Sequence, residues 1–343
     1  MLKPHLQALL SGQSLSTEAM AEAMAIVMDG HATPAQIGAL LIALRMKGET
    51  PEEIVGAARV MRDRATRVEA PAGPVIDTCG TGGDGMSTFN ISTTTAFVVA
   101  AAGGIVAKHG NHSNTSRSGS ADVLKALGVR IDAGPEVAAH CMRELGLGFL
   151  YAPQLHQAMR HAAGPRKELG MRSIFNLLGP LSNPAGAPYQ VVGVYDKALV
   201  PVLLPALASL GLKGAMVVAG ADGMDELTTC AETHVGELRD GELRYYTLDA
   251  RELGLPRVSA DALKGGDPER NAAITRAVLS GEAGPQRDIV LLNAAAALHV
   301  AGLAPDMAAG VAMAAEAIDH GRATAKLEAL VALSGAAAAP AIA

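Results

Sequence analysis

The spacing of hydrophobic and polar positions divides the chain into two parts. Up to residue 66, apolar residues recur at helical intervals, and the stretches 33–36 (TPAQ) and 50–53 (TPEE) carry the signature of helix starts. In each, Thr caps the helix, Pro takes the first helical position and Gln or Glu the third. Gly30 and Gly48 end the preceding helices. The segment 70–74 (APAGP) stops the pattern, so we expect a helical domain at residues 1–70 and a hinge at 70–74.

Beyond residue 74, short apolar runs alternate with helical segments, which is typical of a mostly parallel sheet with helices on its faces. The predicted strands cover residues 75–79, 104–107, 129–132, 148–152, 190–195 and 215–219, and a hairpin joins 234–238 to 242–247. The Ala-rich end, 329–343, is expected to fray. We therefore predict an α/β domain over residues 75–343.

Composition and charge narrow the class of protein. Hydrophobic residues make up 49% of the 343 residues and charged ones 18%, which indicates a globular chain. The formal net charge of -6 argues against a protein that coats nucleic acid, because such binding depends on an excess of Lys and Arg. We expect no nucleic-acid partner.

Targeting signals and cysteine spacing suggest where the protein works. The first residues form no apolar run suited to a signal peptide, and no 18-residue apolar run follows. The cysteines Cys79, Cys141 and Cys230 are far apart and form no C-x-x-C pair. We expect a cytoplasmic protein without a membrane partner, and we interpret Cys79 as a small buried thiol rather than a nucleophile.

The stretch 77–93 (DTCGTGGDGMSTFNIST) contains a literal G-x-G-x-x-G at Gly80, Gly82 and Gly85. Between a strand and a predicted helix at 87–102, such a loop exposes backbone N–H groups to an anion. A dinucleotide fold also needs an acidic residue about 20 positions further on, at the end of the second strand. That strand ends instead in Lys108 and His109. The sequence therefore favours a different phosphate ligand.

A second donor-rich loop follows the next predicted strand. Residues 85–121 contain no Asp or Glu but eleven Ser or Thr residues, and the stretch 108–122 (KHGNHSNTSRSGSAD) leads into a predicted helix at Ser120. The alternative is a pair of solvated Gly/Ser loops. Two such loops beside successive strand ends, however, suit an extended polyanion better than a single phosphate.

A pair of acidic residues, Asp225 and Glu226, follows the predicted strand 215–219 in the turn DGMDEL. Carboxylates at a strand end suit Mg²⁺, which prefers oxygen ligands and is commonly shared with substrate phosphates. Alone, the pair would be interpreted as a surface turn. Beside two polyanion loops it becomes a candidate metal site.

Together these motifs resemble the anthranilate phosphoribosyltransferase family. DTCGTGGD, STFNIST, KHGN, SGSADVL, RKELGMRSIFNLLGPLSNP and DGMDEL occur in the family's order, and the stretch 166–184 is the most specific. The resemblance implies that the helical domain gains helices from about residues 166–184, is hinged to the larger α/β domain and forms a homodimer. It also implies that phosphoribosyl pyrophosphate (PRPP) and anthranilate are the substrates and that two Mg²⁺ ions act as cofactors in each subunit.

The resemblance also implies the residues of each site. PRPP would contact Gly80, Gly83, Asp84, Thr88, Asn90, Ile91, Ser92, Thr93, Lys108, His109, Gly110, Asn111, His112, Ser113, Asn114, Thr115, Ser116 and Ser120. The metal ligands would be Ser92, Asp225 and Glu226. Anthranilate would contact Gly80, His109, Asn111, His156, Arg166, Gly179 and Pro180, with the Arg166 guanidinium paired to its carboxylate. No residue would act covalently or as a general base.

The chain departs from the family pattern at four places. His112 replaces the usual Arg, Thr115 the first residue of a Ser-Ser pair, Ala219 a His, and Leu155 the first His of a His-His pair. None of these changes removes a group that the reaction requires. Two alternatives stay open: an enzyme like pyrimidine nucleoside phosphorylase, and a non-catalytic relative that binds nucleic acid.

Overall fold

The computed structural model describes residues 2–113 and 117–336, and its first part is helical. The helices are α1 (Lys3–Leu10), α2 (Thr17–Met28), α3 (Pro34–Lys47) and α4 (Pro51–Asp63). The predicted capping boxes are confirmed, because the Thr33 and Thr50 side chains each accept a hydrogen bond from the backbone N–H three residues on. In return, the side chains of Gln36 and Glu53 accept hydrogen bonds from the N–H groups of the two capping residues.

A seven-stranded sheet forms the centre of the second part. Its strands are β1 (Val75–Gly80), β2 (Ile105–Gly110), β3 (Leu147–Tyr151), β4 (Tyr189–Gly193), β5 (Gly214–Gly220), β6 (Thr233–Arg239) and β7 (Glu242–Leu248). The spatial order is β3-β2-β1-β4-β5-β6-β7. The first five strands are parallel, and β6 and β7 add an antiparallel hairpin at one edge. The predicted α/β fold class is confirmed.

Eleven further helices in the described part of the chain cover the sheet and its edges. They are α5 (Ile91–Ala101), α6 (Ser120–Ala126), α7 (Pro135–Leu145), α8 (Ala152–Leu155), α9 (Arg160–Leu169), α10 (Ile174–Leu181), α11 (Val200–Ser209), α12 (Pro268–Leu279), α13 (Pro285–Val300), α14 (Met307–Asp319) and α15 (Arg322–Ala336). Helix α9 packs on α2 and α3, and α10 packs on α3 and α4. Within the described ranges, none of the helices has the length and apolar character that a membrane span requires.

Three predictions about secondary structure were wrong. Residues 129–132 form a turn between α6 and α7 rather than a strand, and Val129 is apolar because it fills the core. Helix α5 begins at Ile91 rather than at residue 87, since Ser87 has a positive φ of 55° that a right-handed helix excludes. The segment from residue 329 does not fray before Ala336, because Leu330 and Ser334 of α15 are buried.

The five parallel strands are buried on both faces, against separate hydrophobic cores, whereas β7 at the edge is largely exposed. On β5, Met216 and Val218 face the core formed with α5, α12, α13, α14 and α15. The alternate residues Ala215, Val217 and Ala219 face a core shared with α1 to α4, α10 and α11. The helical part is therefore joined to the sheet through a continuous apolar core.

The strand order creates a crevice at the carboxyl ends of the central strands β1 and β4. Strands β2 and β3 lie on one side of β1, while β4 and β5 lie on the other. In open parallel sheets, ligands bind outside the carboxyl ends of the strands where the order reverses in this way. Thr81, the first residue after β1, donates its N–H to the carbonyl of Gly193 at the end of β4 at 2.9 Å.

Glu53 is a fully buried carboxylate that connects three segments of the helical part. Its oxygens accept hydrogen bonds from the N–H groups of Leu15 (2.9 Å) and Thr50 (3.0 Å), and Lys47 Nζ lies 3.0 Å away. The side chain of Lys47 is itself only 11% exposed. The ion pair is therefore shielded from water.

Replacing Glu53 by Ala should lower the free energy of unfolding by about 3 kcal/mol, because the Lys47 ammonium and two backbone N–H groups lose their partner. Urea unfolding followed by circular dichroism measures the change. The matched control is Glu52→Ala, which alters an exposed side chain in the same helical turn and should change stability by at most about 0.5 kcal/mol. Equal losses in the two variants would contradict the role given to Glu53.

Candidate active site

The glycine loop after β1 forms the floor of the crevice. Gly82, Gly83 and Gly85 have φ values of 71°, 81° and 76°, a backbone region that residues with a Cβ rarely adopt. The loop leads into the N-terminus of α5, whose first turn contains no acidic residue. N–H groups at a helix start favour an anion. At the start of α5, the N–H of Ile91 bonds to the Phe89 carbonyl, and that of Ser92 bonds to an acidic side chain, Glu226.

The turn after β5 brings Asp225 and Glu226 to this loop. Asp225 Oδ2 accepts a hydrogen bond from Gly82 N at 2.7 Å, and Glu226 Oε1 accepts one from Ser92 N at 3.1 Å. The structure thus brings together Ser92, Asp225 and Glu226, the three residues predicted as metal ligands. Asn293 fixes the turn, because its Oδ1 accepts a hydrogen bond from Leu227 N at 3.1 Å and its Nδ2 donates to the Leu227 carbonyl at 2.9 Å.

Negative charge is concentrated at this point. Burial, together with the neighbouring carboxylates of Asp84 and Glu226, raises the pKa of Asp225 well above its usual range. Burial likewise raises the pKa of Glu226, although Lys108 and the Ser92 N–H oppose the effect. One buried oxygen of Asp84, Oδ2, has no hydrogen-bond partner. A cation bound here would relieve the repulsion among the three carboxylates.

The donor set fits Mg²⁺ shared with a phosphate rather than an ion held by protein alone. Within the described residues, no three His, Cys, Asp or Glu side chains converge to form a complete cation site. Mg²⁺ is usually held by one or two carboxylates, with water and substrate phosphate as the other ligands. Two carboxylates and the Ser92 hydroxyl meet that requirement.

Lys108 lies beneath the glycine loop rather than on its surface. Its side chain is 3% exposed, and Nζ donates to the carbonyl of Thr78 at 2.6 Å and lies 3.5 Å from Ser92 Oγ. Burial lowers the pKa of Lys108, while the nearby Asp77 and Glu226 raise it. The lysine therefore contributes positive charge from behind the carboxylate pair.

The second loop follows β2 and folds back on the start of α6. Ser120 Oγ accepts a hydrogen bond from Asn111 N at 3.2 Å. Asp122, in the first turn of α6, accepts from Gly119 N at 2.8 Å and from Ser113 N at 3.3 Å, and it contacts the His112 ring. Asn114, Thr115 and Ser116, which were predicted to bind PRPP, lie outside the described residues.

Asn90 joins the two loops. Its Nδ2 donates to the carbonyl of Ser118 at 3.1 Å, and its Oδ1 accepts from Ser118 Oγ at 3.2 Å. The first and second loops therefore meet at the ends of β1 and β2, while Ile91, Thr93 and Lys108 among the predicted PRPP ligands are buried.

Two buried histidines mark the other side of the crevice. His109 Nε2 and His156 Nε2 are 3.1 Å apart, and His109 also hydrogen-bonds to the Gly179 backbone. Burial lowers the pKa of His109 to about 3 and that of His156 to about 4, so both rings are neutral at pH 7. One ring must then donate and the other accept. Three of the residues predicted to bind anthranilate thus lie together.

Arg166 lies in the last turn of α9, with its guanidinium 4.9 Å from the centre of the Phe175 ring. Burial lowers its pKa, although the group remains a cation. It forms no salt bridge with any residue in the described ranges, which leaves its charge available to an anionic ligand. No side-chain hydrogen bond or ion pair joins Arg166 to His109 or His156 within those ranges.

Pro180 is held at its place by a buried network. Gln190 Nε2 donates to the carbonyl of Pro180 at 2.6 Å and lies 3.3 Å from Asp77 Oδ2, which also accepts from Asn183 Nδ2 at 2.8 Å.

Burial raises the pKa of Cys79 well above its usual range. The interpretation of Cys79 as a small buried thiol is confirmed, since the side chain is free and buried.

Two residues that shape the loops, Arg172 and Asp122, were not predicted from the sequence. Arg172 donates to the carbonyl of Gly83, and its guanidinium lies 3.8 Å from the centre of the Tyr195 ring. No local pattern indicates this contact, because it joins residues 89 positions apart. Asp122, by contrast, could have been found from its position three residues after Gly119 at a helix start.

Comparison with known proteins identifies the family. A model of the glycosyl transferase family helical bundle domain matches residues 3–65, and one of the same family's a/b domain matches residues 72–324. Anthranilate phosphoribosyltransferase of Moorella thermoacetica is 54% identical over 97% of this chain and 98% of its own. That of Anaeromyxobacter sp. strain K is 56% identical over the same shares.

Solved structures agree. Anthranilate phosphoribosyltransferase from Thermus thermophilus matches with a TM-score of 0.92 at 44% identity, covering 96% of this chain and 99% of its own. The enzyme from Saccharomyces cerevisiae in complex with PRPP and Mg matches with a TM-score of 0.89 at 28% identity, covering 98% of each chain. The chain therefore belongs to the anthranilate phosphoribosyltransferase family of glycosyl transferases.

Proposed function

We propose that the protein transfers the phosphoribosyl group of PRPP to the amine of anthranilate, releasing pyrophosphate, as a step of tryptophan biosynthesis. The observation that carries this proposal is the meeting of the glycine loop, the second loop and the Asp225–Glu226 pair at one crevice. Family membership over almost the full chain supports the same activity.

PRPP binds along the two loops. The glycine loop and the start of α5 face the pyrophosphate, and the second loop faces the ribose and its phosphate. The N–H groups of a helix start and of a glycine-rich turn are suited to both phosphates because they are directed donors. The residues assigned to PRPP by resemblance keep that role in this proposal.

Two Mg²⁺ ions bind to Ser92, Asp225 and Glu226 together with the pyrophosphate. When bound, they supply positive charge that stabilises the departing pyrophosphate. The protein's own part is to hold the two carboxylates through the N–H groups of Gly82 and Ser92. Preorganised charge of this kind accounts for much of the rate enhancement in many enzymes.

Anthranilate binds between Arg166 and the histidine pair. The Arg166 guanidinium, which is partly buried, pairs with the carboxylate of anthranilate. The neutral rings of His109 and His156, with Gly179 and Pro180, form an uncharged wall beside the aromatic ring. Gly80 and Asn111 complete the assigned set.

In the reaction, the amine nitrogen forms a bond to the anomeric carbon while the bond to pyrophosphate oxygen breaks and its electron pair leaves with pyrophosphate. The amine proton passes to solvent. An aryl amine is unprotonated at neutral pH, so no side chain has to act as a strong base or as a nucleophile. Positioning of the two substrates supplies the remaining acceleration.

The two rival functions predict different sites. A nucleoside phosphorylase would use phosphate as the nucleophile and would need neither the acidic pair nor Arg166. A nucleic-acid-binding relative would carry a basic surface, whereas this chain has a formal net charge of -6. Pyrophosphate release from PRPP with anthranilate, compared with a panel of other aryl amines, tests the proposal, and no release with anthranilate would refute it. Phosphorolysis of a nucleoside and salt-dependent DNA binding test the two rivals.

The assembly and its location follow from the same proposal. The protein is a cytoplasmic homodimer that associates through the helical domain, where Leu10 and Met46 are 79% and 83% exposed. The helical domain comprises residues 1–70 with helices from about 166–184, and it is hinged at 70–74 to the α/β domain at 75–343. Sedimentation velocity at micromolar concentration tests the dimer, and a monomer mass would contradict it.

Combining Asp225→Asn with Glu226→Gln should abolish turnover in Mg²⁺ while the fold persists, because the amides keep the side-chain volume but lose both charges. Circular dichroism checks the fold and pyrophosphate release checks the turnover. Glu232→Gln, an exposed change in the same loop, serves as the control and should retain full activity. Normal turnover in the double variant would refute the metal assignment.

Arg166→Ala should raise the KM for anthranilate strongly and that for PRPP little. A carboxylate left without its charged partner loses roughly 1.5–3 kcal/mol, which is about one to two decades in affinity. Steady-state kinetics with each substrate varied in turn measures both constants. Lys167→Ala, the neighbouring exposed cation, is the matched control. An unchanged constant for anthranilate would show that the acceptor site lies elsewhere.

A further inference from the structure

A segment from the last third of the chain lies along the glycine loop. Phe89 donates its N–H to the carbonyl of Leu263 at 3.1 Å, and Gly265 donates its N–H to the carbonyl of Ser87 at 2.9 Å. Between these bonds, Thr88 and Lys264 form an isolated antiparallel bridge. The loop is therefore held on its outer side by residues that follow it by more than 170 positions.

Backbone strain explains why the loop requires this support. Ser87 has a φ of 55°, a left-handed conformation that costs a residue with a Cβ about 1 kcal/mol or more. Such a residue persists only where its surroundings fix it. The bond from Gly265 N to the Ser87 carbonyl provides that restraint directly before the predicted PRPP ligands Thr88 and Asn90.

Asn271 of α12 extends the support to a side chain. It is 1% exposed, and its Oδ1 accepts from Gly266 N at 2.8 Å while its Nδ2 donates to Asn90 Oδ1 at 2.9 Å. Asn90 Oδ1 also accepts from the Ser118 hydroxyl, so this oxygen receives two donors. The Asn90 amide is thereby oriented, with Nδ2 directed to the carbonyl of Ser118.

We infer that Asn271 is a positioning residue for PRPP: it acts through Asn90 to hold the two phosphate-binding loops in register. The inference rests on the proposed function, because it takes Asn90 and the two loops as the PRPP site. Among the predicted PRPP ligands in the described residues, the Asn271 side chain hydrogen-bonds to Asn90.

A neighbouring contact separates positioning from simple helix packing. One turn further along α12, Thr275 Oγ1 lies 2.9 Å from Thr94 Oγ1 of α5, and both residues are fully buried. This pair also joins α12 to α5 through side chains. Thr94 Oγ1 bonds to the backbone carbonyl of Asn90 at 3.0 Å, but in the described part of the chain neither threonine hydrogen-bonds to the Asn90 side chain. Thr275→Val is therefore the matched control.

The test is the kinetic effect of Asn271→Asp. The variant keeps the acceptor for Gly266 N but presents an anionic oxygen to Asn90 Oδ1, so the Asn90 amide must rotate and lose its bond to Ser118. We expect the KM for PRPP to rise about tenfold and the KM for anthranilate to change less than twofold. Thr275→Val should leave both constants within about twofold at a comparable loss of Tm.

A double-mutant cycle shows whether Asn271 acts through Asn90. In a background of Asn90→Ala, Asn271→Asp should have little further effect on PRPP binding, because the shared element is already gone. If Asn271→Asp does not yield folded protein, Asn271→Ala removes the same donor without adding charge and carries the same test. Additive effects of the two substitutions would overturn the inference.

Two further results would also overturn the inference. One is a KM for PRPP that Asn271→Asp leaves unchanged, and the other is an equal change of KM in Asn271→Asp and Thr275→Val.

Calorimetric titration of the wild-type protein with PRPP in Mg²⁺ distinguishes a failure of this inference from a failure of the proposed function. A wild type that neither binds PRPP nor releases pyrophosphate refutes the proposed function. A wild type that does both, with unaltered variants, refutes the role of Asn271 alone.

Discussion

The close approach of the Asp225–Glu226 turn to the ends of two strands is the constraint on which the site depends. A Cβ on Gly80, at the end of β1, would overlap the Asp225 side chain, and one on Gly193, at the end of β4, would overlap its backbone. Only glycine fits at either strand end. Because both strands end in residues without side chains, the acidic turn can lie directly against the strand ends. There its carboxylates accept hydrogen bonds from the N–H groups of Gly82 and Ser92.

This arrangement divides the crevice electrostatically. On one side, the buried carboxylates lie close to the Lys108 ammonium, and an additional cation would relieve their mutual repulsion. On the other side, burial keeps His109 and His156 neutral, so the wall carries no charge of its own. The crevice therefore has fixed charges on its carboxylate side and an uncharged surface on its histidine side. A ligand that spans the crevice would meet a different electrostatic environment at each end.

Local features could be predicted from the sequence, but features set by distant contacts could not. The Thr33 and Thr50 caps depend on residues three positions away and were confirmed. Val129 is apolar because it enters the core from a turn, which sequence alone does not distinguish from a strand. The start of α5 is delayed by Ser87, whose backbone is restrained by Gly265, and Arg172 reaches Gly83 across 89 positions. The motif resemblance therefore predicted the residues of the site. The residues that hold them in place, such as Gly265 and Arg172, are identified only in the structure.

The shared apolar core has a consequence for biosynthesis of the chain. Helix α10 packs against α3 and α4, α11 packs against α4, and the Ala215 face of β5 belongs to the same apolar core. The elements α10, α11 and β5 are synthesised more than 100 residues after α4. While the ribosome makes the intervening segment, the amino-terminal helices expose their hydrophobic sides to water or to other chains. The helical region can therefore bury its apolar side chains fully only after β5 has been synthesised. We expect these helices and the sheet to reach their final packing together.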